Sequence, residues 1–342
     1  MSELKTNKIS TNDQNNVAID NALGLKSYTT AQRDALTSVA GDVVYNSETG
    51  TIDYYNGSAW FATSDNTFQF SGSYLVIAGG GGGGGYQAGG GGGGAGGYRN
   101  SYASETSGGG GSTETSITLP KNTALTVSIG SGGAGGTTVA EDATNGTNST
   151  FYSIVSSGGG GGGGSYANGL NGASGGGAGG HPFTPFSGGS GIANQGYAGG
   201  NSTPSNPNDY AAGGGGAGAV GNNSLGNGGA GLSSSITSSA VTRAGGGGGG
   251  RYSAGNGGSG GSGGGGAGGS NGSARTGGNG TVNTGGGAGG GGGTGGSGIV
   301  ILRYATADVA SYSQTGLTIS PSTYGSDTVL EITAGTGTIT FS

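Results

Sequence analysis

The sequence predicts a mostly β protein in which a bundle of polyglycine-II helices is held by a frame of short strands, behind an extended N-terminal segment. Three observations lead there. Glycine supplies 96 of 342 residues, about four times the ~7% of ordinary chains. Dense runs of β-formers bracket and interrupt the glycine tracts. The ordered alternatives fail: glycine does not fall at every third place and there are only six prolines, which excludes collagen, and the aspartates of calcium-binding β-roll repeats are missing.

Taken in order, residues 1–78 hold only five glycines and read as ordinary sequence. Polar residues from Lys5 to Asn16 give way to Val17-Ala18-Ile19. One short helix is expected within the stretch from Tyr28 to Leu36, which Thr29 or Thr30 could cap. Val43-Val44-Tyr45, Ile52-Asp53-Tyr54-Tyr55 and Ala59-Trp60-Phe61 alternate with turns at 46–50 and at Asn56-Gly57; Asn-Gly between β-formers is a strong hairpin signal. Residues 79–297 hold 86 of the glycines, in runs at 79–85, 89–94, 158–164, 245–250 and 289–293. No fixed period relates the runs, so this is not a standard solenoid.

The glycine region is bracketed by Tyr74-Leu75-Val76-Ile77-Ala78 and Ile299-Val300-Ile301-Leu302-Arg303-Tyr304, continuous apolar runs that imply strands buried on both faces. Inside it, Ile117-Thr118-Leu119 and Leu125-Thr126-Val127-Ser128-Ile129 flank a turn at Pro120-Lys121-Asn122. They read as a hairpin with one face in a core. After Ala305, Leu317-Thr318-Ile319, Val329-Leu330-Glu331-Ile332 and Thr338-Ile339-Thr340-Phe341 suggest a small terminal β unit. The expected divisions are 1–36, an N-terminal segment; 37–67, a hairpin unit; 68–304, the glycine-rich domain; and 305–342, a C-terminal β unit.

Poly-glycine can be a flexible linker, because it buries no side chain and loses the most backbone freedom on folding. Linkers, however, do not interleave with paired hydrophobic strands or return to a closing strand after some two hundred residues. The remaining ordered conformation is threefold and rises ~3.1 Å per residue. Its N–H and C=O groups must be satisfied between helices, so order is collective. Single alanines at 95, 178, 217, 267 and 288 are expected on the bundle rim or in shallow gaps.

Composition also excludes functions. Ten Lys plus Arg against sixteen Asp plus Glu, with the arginines scattered, do not make a nucleic-acid binder. The absence of Cys removes disulfides, thiolate nucleophiles and cysteine-ligated metals. No apolar run approaches ~18 residues and the first residues lack the hydrophobic stretch of a signal peptide. Membrane insertion and conventional secretion are therefore not expected.

Three stretches carry a resemblance: Tyr74-Leu75-Val76-Ile77-Ala78 running into the first glycine run, the segment from Leu125 to Gly136, and the closing segment from Gly295 to Tyr304. Together they resemble the glycine-rich domain common in tail and appendage proteins of phages, notably marine and cyanobacterial ones. The stretch from Tyr28 to Leu36, with Gly41-Asp42-Val43-Val44-Tyr45-Asn46 and Tyr55-Asn56-Gly57-Ser58-Ala59-Trp60, likewise resembles a segment of phage fibre proteins. The likeness to the distal adhesins of T-even-like phages, whose polyglycine-II helices carry receptor-binding loops, is architectural. The resemblance implies a virion component, often trimeric, with a β-sandwich-like frame enclosing the glycine core.

No enzyme is expected. His181 is the only histidine, with no Cys and no nearby carboxylate, so neither a triad nor a zinc site can form. GxGxxG matches are unavoidable in such tracts and carry nothing without a strand, a helix and an acidic partner. Glu141-Asp142 reads as a solvated turn, since a cation needs more oxygen ligands. No cofactor and no metal are expected. The candidates for surface contact are Tyr98, Arg99 and Tyr102, then His181, Phe183 and Phe186 on a proline-stiffened turn, then Asn206 and Tyr210. Aromatic rings beside amides and hydroxyls suit sugars or outer-membrane loops, although the same residues could instead pack on the bundle rim. The leading expectation is a tail fibre or adhesin subunit in the virion, self-associating, joined to other tail proteins and meeting a host glycan or outer-membrane protein. A purely architectural fibre or capsid decoration protein and a disordered silk-like protein are the rivals.

Overall fold

The computed structural model describes residues 24–63, 69–85, 89–138, 140–180, 183–203, 211–223, 226–251, 255–270 and 276–342. The chain divides into two compact units, Met1–Phe68 and Gln69–Ser342. Strand accounts for 28% of residues and helix for 3%, so the protein is mostly β as its sequence predicts.

The first unit comprises β1 (Ser27–Tyr28), α1 (Thr30–Asp34), β2 (Val43–Asn46), β3 (Thr51–Tyr55) and β4 (Trp60–Ala62). The strands form one sheet in that order, with β1 parallel to β2 and the rest antiparallel. Thr29 caps α1 through a reciprocal box: its hydroxyl accepts from the Gln32 N–H, and the Gln32 side chain accepts from the Thr29 N–H at 3.0 Å. At the Asn56-Gly57 turn the Asn56 Oδ1 accepts from the Ser58 and Ala59 N–H groups, both at 2.9 Å, and Gly57 takes φ +102°, which a side chain would resist. The buried Asp53 accepts from Arg33 at 2.6 Å, Asn46 at 3.0 Å and Thr51 at 2.6 Å. Arg33 thereby pins α1 to the sheet, so the helix does not belong to a separate segment ending at residue 36.

The second unit contains β5 (Gln69–Ile77), β6 (Tyr98–Asn100), β7 (Ile117–Pro120), β8 (Leu125–Ser128), β9 (Ser149–Phe151), β10 (Ile154–Ser156), β11 (Leu232–Ser234), β12 (Val241–Arg243), β13 (Ile299–Ala305), β14 (Tyr312–Tyr324) and β15 (Asp327–Phe341). Strands β11 and β12 pair by themselves, and the other nine make one sheet that curves until nearly closed, like a barrel. One continuous sheet thus supplies the layers expected of a sandwich. The two apolar brackets pair antiparallel, Ile299 opposite Ile77 through Tyr304 opposite Gly72, and Leu75, Val76, Ile77, Val300, Ile301 and Leu302 are fully buried. Burial on both faces is what their unbroken hydrophobicity predicts.

Alternate strand residues serve two cores. Phe70, Tyr74, Val76, Leu119, Leu125, Val127, Phe151, Leu302 and Phe341 fill the sheet's interior, where the Phe341 ring meets Phe70 at 4.9 Å and Tyr304 at 5.8 Å between centroids. Residues of the other parity, Leu75, Ile77, Ile299 and Ile301, face outward onto Ala95, Ala217 and Ala244 of the glycine region. The interior is thus taken by large side chains, and the glycine region lies against the outside of the sheet rather than enclosed by it.

Two expectations are corrected here. Strands β7 and β8 each bury alternate residues as predicted, but they form no hairpin: β7 pairs with β5, whereas β8 pairs with β15 and β9. The tail is not a separate unit either. Strand β15 pairs with β13 through residues 327–332 and with β8 through 336–339, and β14 lies along it. Leu330, Ile332, Ile339 and Phe341 are fully buried, so the tail completes the interior.

The glycine runs form neither strands nor α-helices, yet they are bonded with a three-residue rhythm. Gly79, Gly82 and Gly85 donate to the carbonyls of Thr147, Thr144 and Glu141; Gly80 and Gly83 to Gly296 and Gly293; Gly81 and Gly84 to Gly94 and Gly91, all at 2.8–3.1 Å. The carbonyls of Gly79 and Gly82 accept from Gly159 and Gly162, those of Gly80 and Gly83 from Gly133 and Gly136, and those of Gly81 and Gly84 from Ala288 and Gly291. This run therefore has six bonded neighbours, three antiparallel and three parallel. The segment from Gly91 keeps the same rhythm: Gly91, Gly94 and Gly97 donate to Gly163, Gly160 and Ser157. The spacing leaves no room for side chains, since a Cβ on Gly82 would overlap the Ala134 carbonyl and one on Gly83 the Gly289 carbonyl. Ala95, Ala178, Ala217 and Ala288 are fully buried and fill gaps, while Ala267 lies on the exposed rim.

Candidate functional site

Of the predicted contact residues, Tyr98 is corrected first. It follows a glycine run and sits opposite Ile77 in the sheet, which turns its ring into the outer core, where it is fully buried. Burial, with Glu105 nearby, pushes its phenol pKa upward. It cannot meet a surface partner.

Arg99, the next residue, faces the other way but is engaged. It donates to Glu114 from Nε at 3.0 Å and from Nη2 at 2.5 Å, and from Nη1 to the Val155 carbonyl at 3.2 Å. Glu114 also accepts from the Tyr74 hydroxyl at 2.8 Å and the Ser107 hydroxyl at 3.1 Å. The hydrogen bonds to Glu114 raise the pKa of Arg99 further. This half-buried cluster ties β5, β6, the 105–114 loop and β10 together, and it borders an open cleft with Ser112, Ala193, Asn194 and Gln195. Tyr102 is also half-buried, with the Arg303 guanidinium 5.1 Å from its ring centre; Arg303 is in turn fixed by Asp327 at 2.9 Å and the Ile236 carbonyl at 3.1 Å.

The other candidates belong to two loops. Phe183 is 80% exposed and Phe186 is half-buried; His181, Asn206 and Tyr210 lie outside the described residues. The two loops are laced together at their bases. The Phe186 N–H donates to the Ser202 hydroxyl at 2.9 Å, the Ser202 N–H to the Phe186 carbonyl at 2.9 Å, and the Gly188 N–H to Asn201 Oδ1 at 2.8 Å. Segments that read as separate candidates in the sequence therefore leave the glycine body side by side.

Two features were missed in the sequence. Polar side chains stand in for absent neighbours along the body's edge: Asn148, Asn145 and Asp142 accept from Gly158, Gly161 and Gly164 N–H groups at 2.9, 2.9 and 2.8 Å, and Thr147 and Thr144 accept from Ser131 and Ala134 at 2.7 and 2.8 Å. Their spacing of three was the available signal. The other is a cleft in the small unit around Trp60 and Tyr55. Glu141 turns back onto the Thr137 hydroxyl and the Thr137 and Thr138 N–H groups, which hold its pKa below the usual range, as in a solvated turn. Among the described residues no group of three or more His, Cys, Asp or Glu could hold a metal ion, and no helix is long and apolar enough to cross a membrane.

A family model described as a glycine-rich domain matches residues 58–305. The chain belongs to the glycine-rich domain family. The match spans the glycine body and the bracketing strands β5 and β13, which pair with each other. It leaves out β14 and β15, although they complete the domain's interior here. No curated protein and no solved structure matches the chain.

Proposed function

We propose that this is a structural virion protein: a phage tail fibre or adhesin subunit whose rigid body is a bundle of polyglycine-II helices and whose inter-run loops contact the host surface. The three-residue hydrogen-bond rhythm supports the helix assignment, because a threefold helix presents its N–H groups in three directions in turn. The observation that carries the adhesin reading is the laced pair of loops bearing Phe183 and Asn201. Short loops anchored at both ends to a lattice present side chains at a lower entropic cost than free loops do. Arg99, Tyr102 and Tyr98 are assigned to the scaffold, and the contact role falls to Phe183, Phe186, His181, Asn206 and Tyr210. The partners are a second and third copy of the chain, other tail proteins, and a host glycan or outer-membrane protein; the location is an external appendage of the virion.

Replacing residues 183–186 by Gly-Ser-Gly-Ser in a phage carrying this protein tests the reading. Assembly should be unchanged while adsorption falls at least about tenfold. Unchanged adsorption would leave the protein architectural, and virions lacking the protein altogether would remove it from the tail.

A further inference from the structure

The small unit carries an open cleft of about 420 Å³ lined by Arg33, Asp34, Leu36, Tyr55, Ser58 and Trp60. Trp60 is the only tryptophan in the chain. Strand pairing sets it opposite Tyr55, with ring centres 5.4 Å apart and planes tilted by 56°, so the two rings form an angled apolar wall. The Arg33 guanidinium lies 5.9 Å from the Trp60 ring centre and is held from behind by Asp53 at 2.6 Å. Its Nε and Nη2 both donate to the same oxygen of Asp34, Oδ1, at 3.0 and 2.8 Å. Asp34 Oδ2 then has no hydrogen-bond partner among the described residues, on a side chain 57% exposed. The Ser58 hydroxyl donates to Asn56 Oδ1 at 2.9 Å, which leaves its lone pairs able to accept.

An apolar ring wall beside a fixed carboxylate oxygen and an accepting hydroxyl matches a molecule with one C–H face and several donating hydroxyls. An anionic ligand would meet Asp34 and a cationic one Arg33, so the pair of charges favours a neutral ligand. We propose that this cleft binds a neutral hexopyranose, stacked on Trp60 with ring hydroxyls donating to Asp34 Oδ2. The site is built only from residues of the small unit and uses none of the inter-run loop residues, so the two readings fail separately.

Because Trp60 is the only tryptophan, its emission reports on the cleft in the full chain. Titration with methyl α-glucopyranoside, methyl α-mannopyranoside, methyl β-galactopyranoside and N-acetylglucosamine should give a saturable change with at least one, at a midpoint in the millimolar range, on the order of 1–10 mM. Sorbitol, an open-chain polyol, should give none. Asp34→Ala should raise the midpoint at least about tenfold, with the circular dichroism of the chain unchanged. If that variant misfolds, Asp34→Asn is used and should raise the midpoint several-fold. No saturable change with any of the four sugars, the same response to sorbitol, or an unshifted midpoint in the Asp34 variant would overturn the assignment.

Discussion

The sheet and the glycine body of the second unit solve the same problem by opposite means. In the sheet, order comes from side chains: Leu302, Phe151 and Phe341 are fully buried, each removing apolar area from water worth roughly 1.5–3 kcal/mol. In the glycine body, order comes from the absence of side chains, because only bare backbone lets each run bond to neighbours all around it. A net gain of only ~1 kcal/mol per hydrogen bond sits against a backbone ordering cost of roughly 1–2 kcal/mol per residue. The hydrogen bonds do not by themselves offset that cost, so the body depends on the sheet against which Ala95, Ala217 and Ala244 pack. The sheet tolerates small losses of volume; the glycine body should tolerate no gain.

The largest effect should come from adding volume to the body. Gly82→Val places a branched side chain where the Ala134 carbonyl already lies, and a loss of about 4 kcal/mol or more is expected, read as failure to recover folded protein or a collapse of the melting temperature. Removing volume from the sheet should cost less: Leu302→Ala, fully buried, should lose about 3 kcal/mol while leaving slow amide exchange in the glycine runs. Equal sensitivity of the two regions to small increases in volume would end the distinction.

The small unit offers a reference without glycine runs. Asp53→Asn should cost about 2 kcal/mol, seen in Trp60 emission. Burial alone would raise the Asp53 pKa, but the hydrogen bonds from Thr51, Arg33 and Asn46 outweigh it and leave it lowered. The stabilisation from Asp53 is thus complete above the unfolded carboxylate value of ~3.9 and is lost as pH falls through the lower folded value. An acid titration followed by Trp60 emission should show the wild-type unit weakening below about pH 4 and the Asn variant lacking that component. The smallest effect belongs to the edge of the body: Asn145→Ala removes one acceptor for the Gly161 N–H and should cost about 1 kcal/mol by thermal melt, since water can take its place.

What the sequence made legible was local or self-evident in pattern. The unbroken apolar runs at Leu75 and Val300 marked strands buried on both faces, Thr29 or Thr30 marked the start of a short helix, and Asn56-Gly57 marked a turn. Partner choice was not legible: the alternation in Ile117–Pro120 and Leu125–Ser128 fixes which residues face a core, but not that their partners are Phe70 and Gly337. The burial of Tyr98 was hidden for the same reason, since it depends on Ile77 and Ala95 converging on it. The edge asparagines looked like loop residues because their role appears only once a neighbouring run is missing beside them. Of the candidate site, the proximity of Phe186 to Ser202 could not be read from two loops separated by a further run of chain.

The pairing of β5 with β13 joins residues 77 and 299, and this distance along the chain sets an order of events during synthesis. Strands β6 and β7 emerge early enough to cover one edge of β5, but its other edge stays open while more than two hundred further residues are translated. At roughly 5–20 residues per second, that wait is on the order of ten to forty seconds. Throughout it, the nascent chain must keep an apolar strand edge from other chains while the sequence being made is rich in glycine and poor in charge.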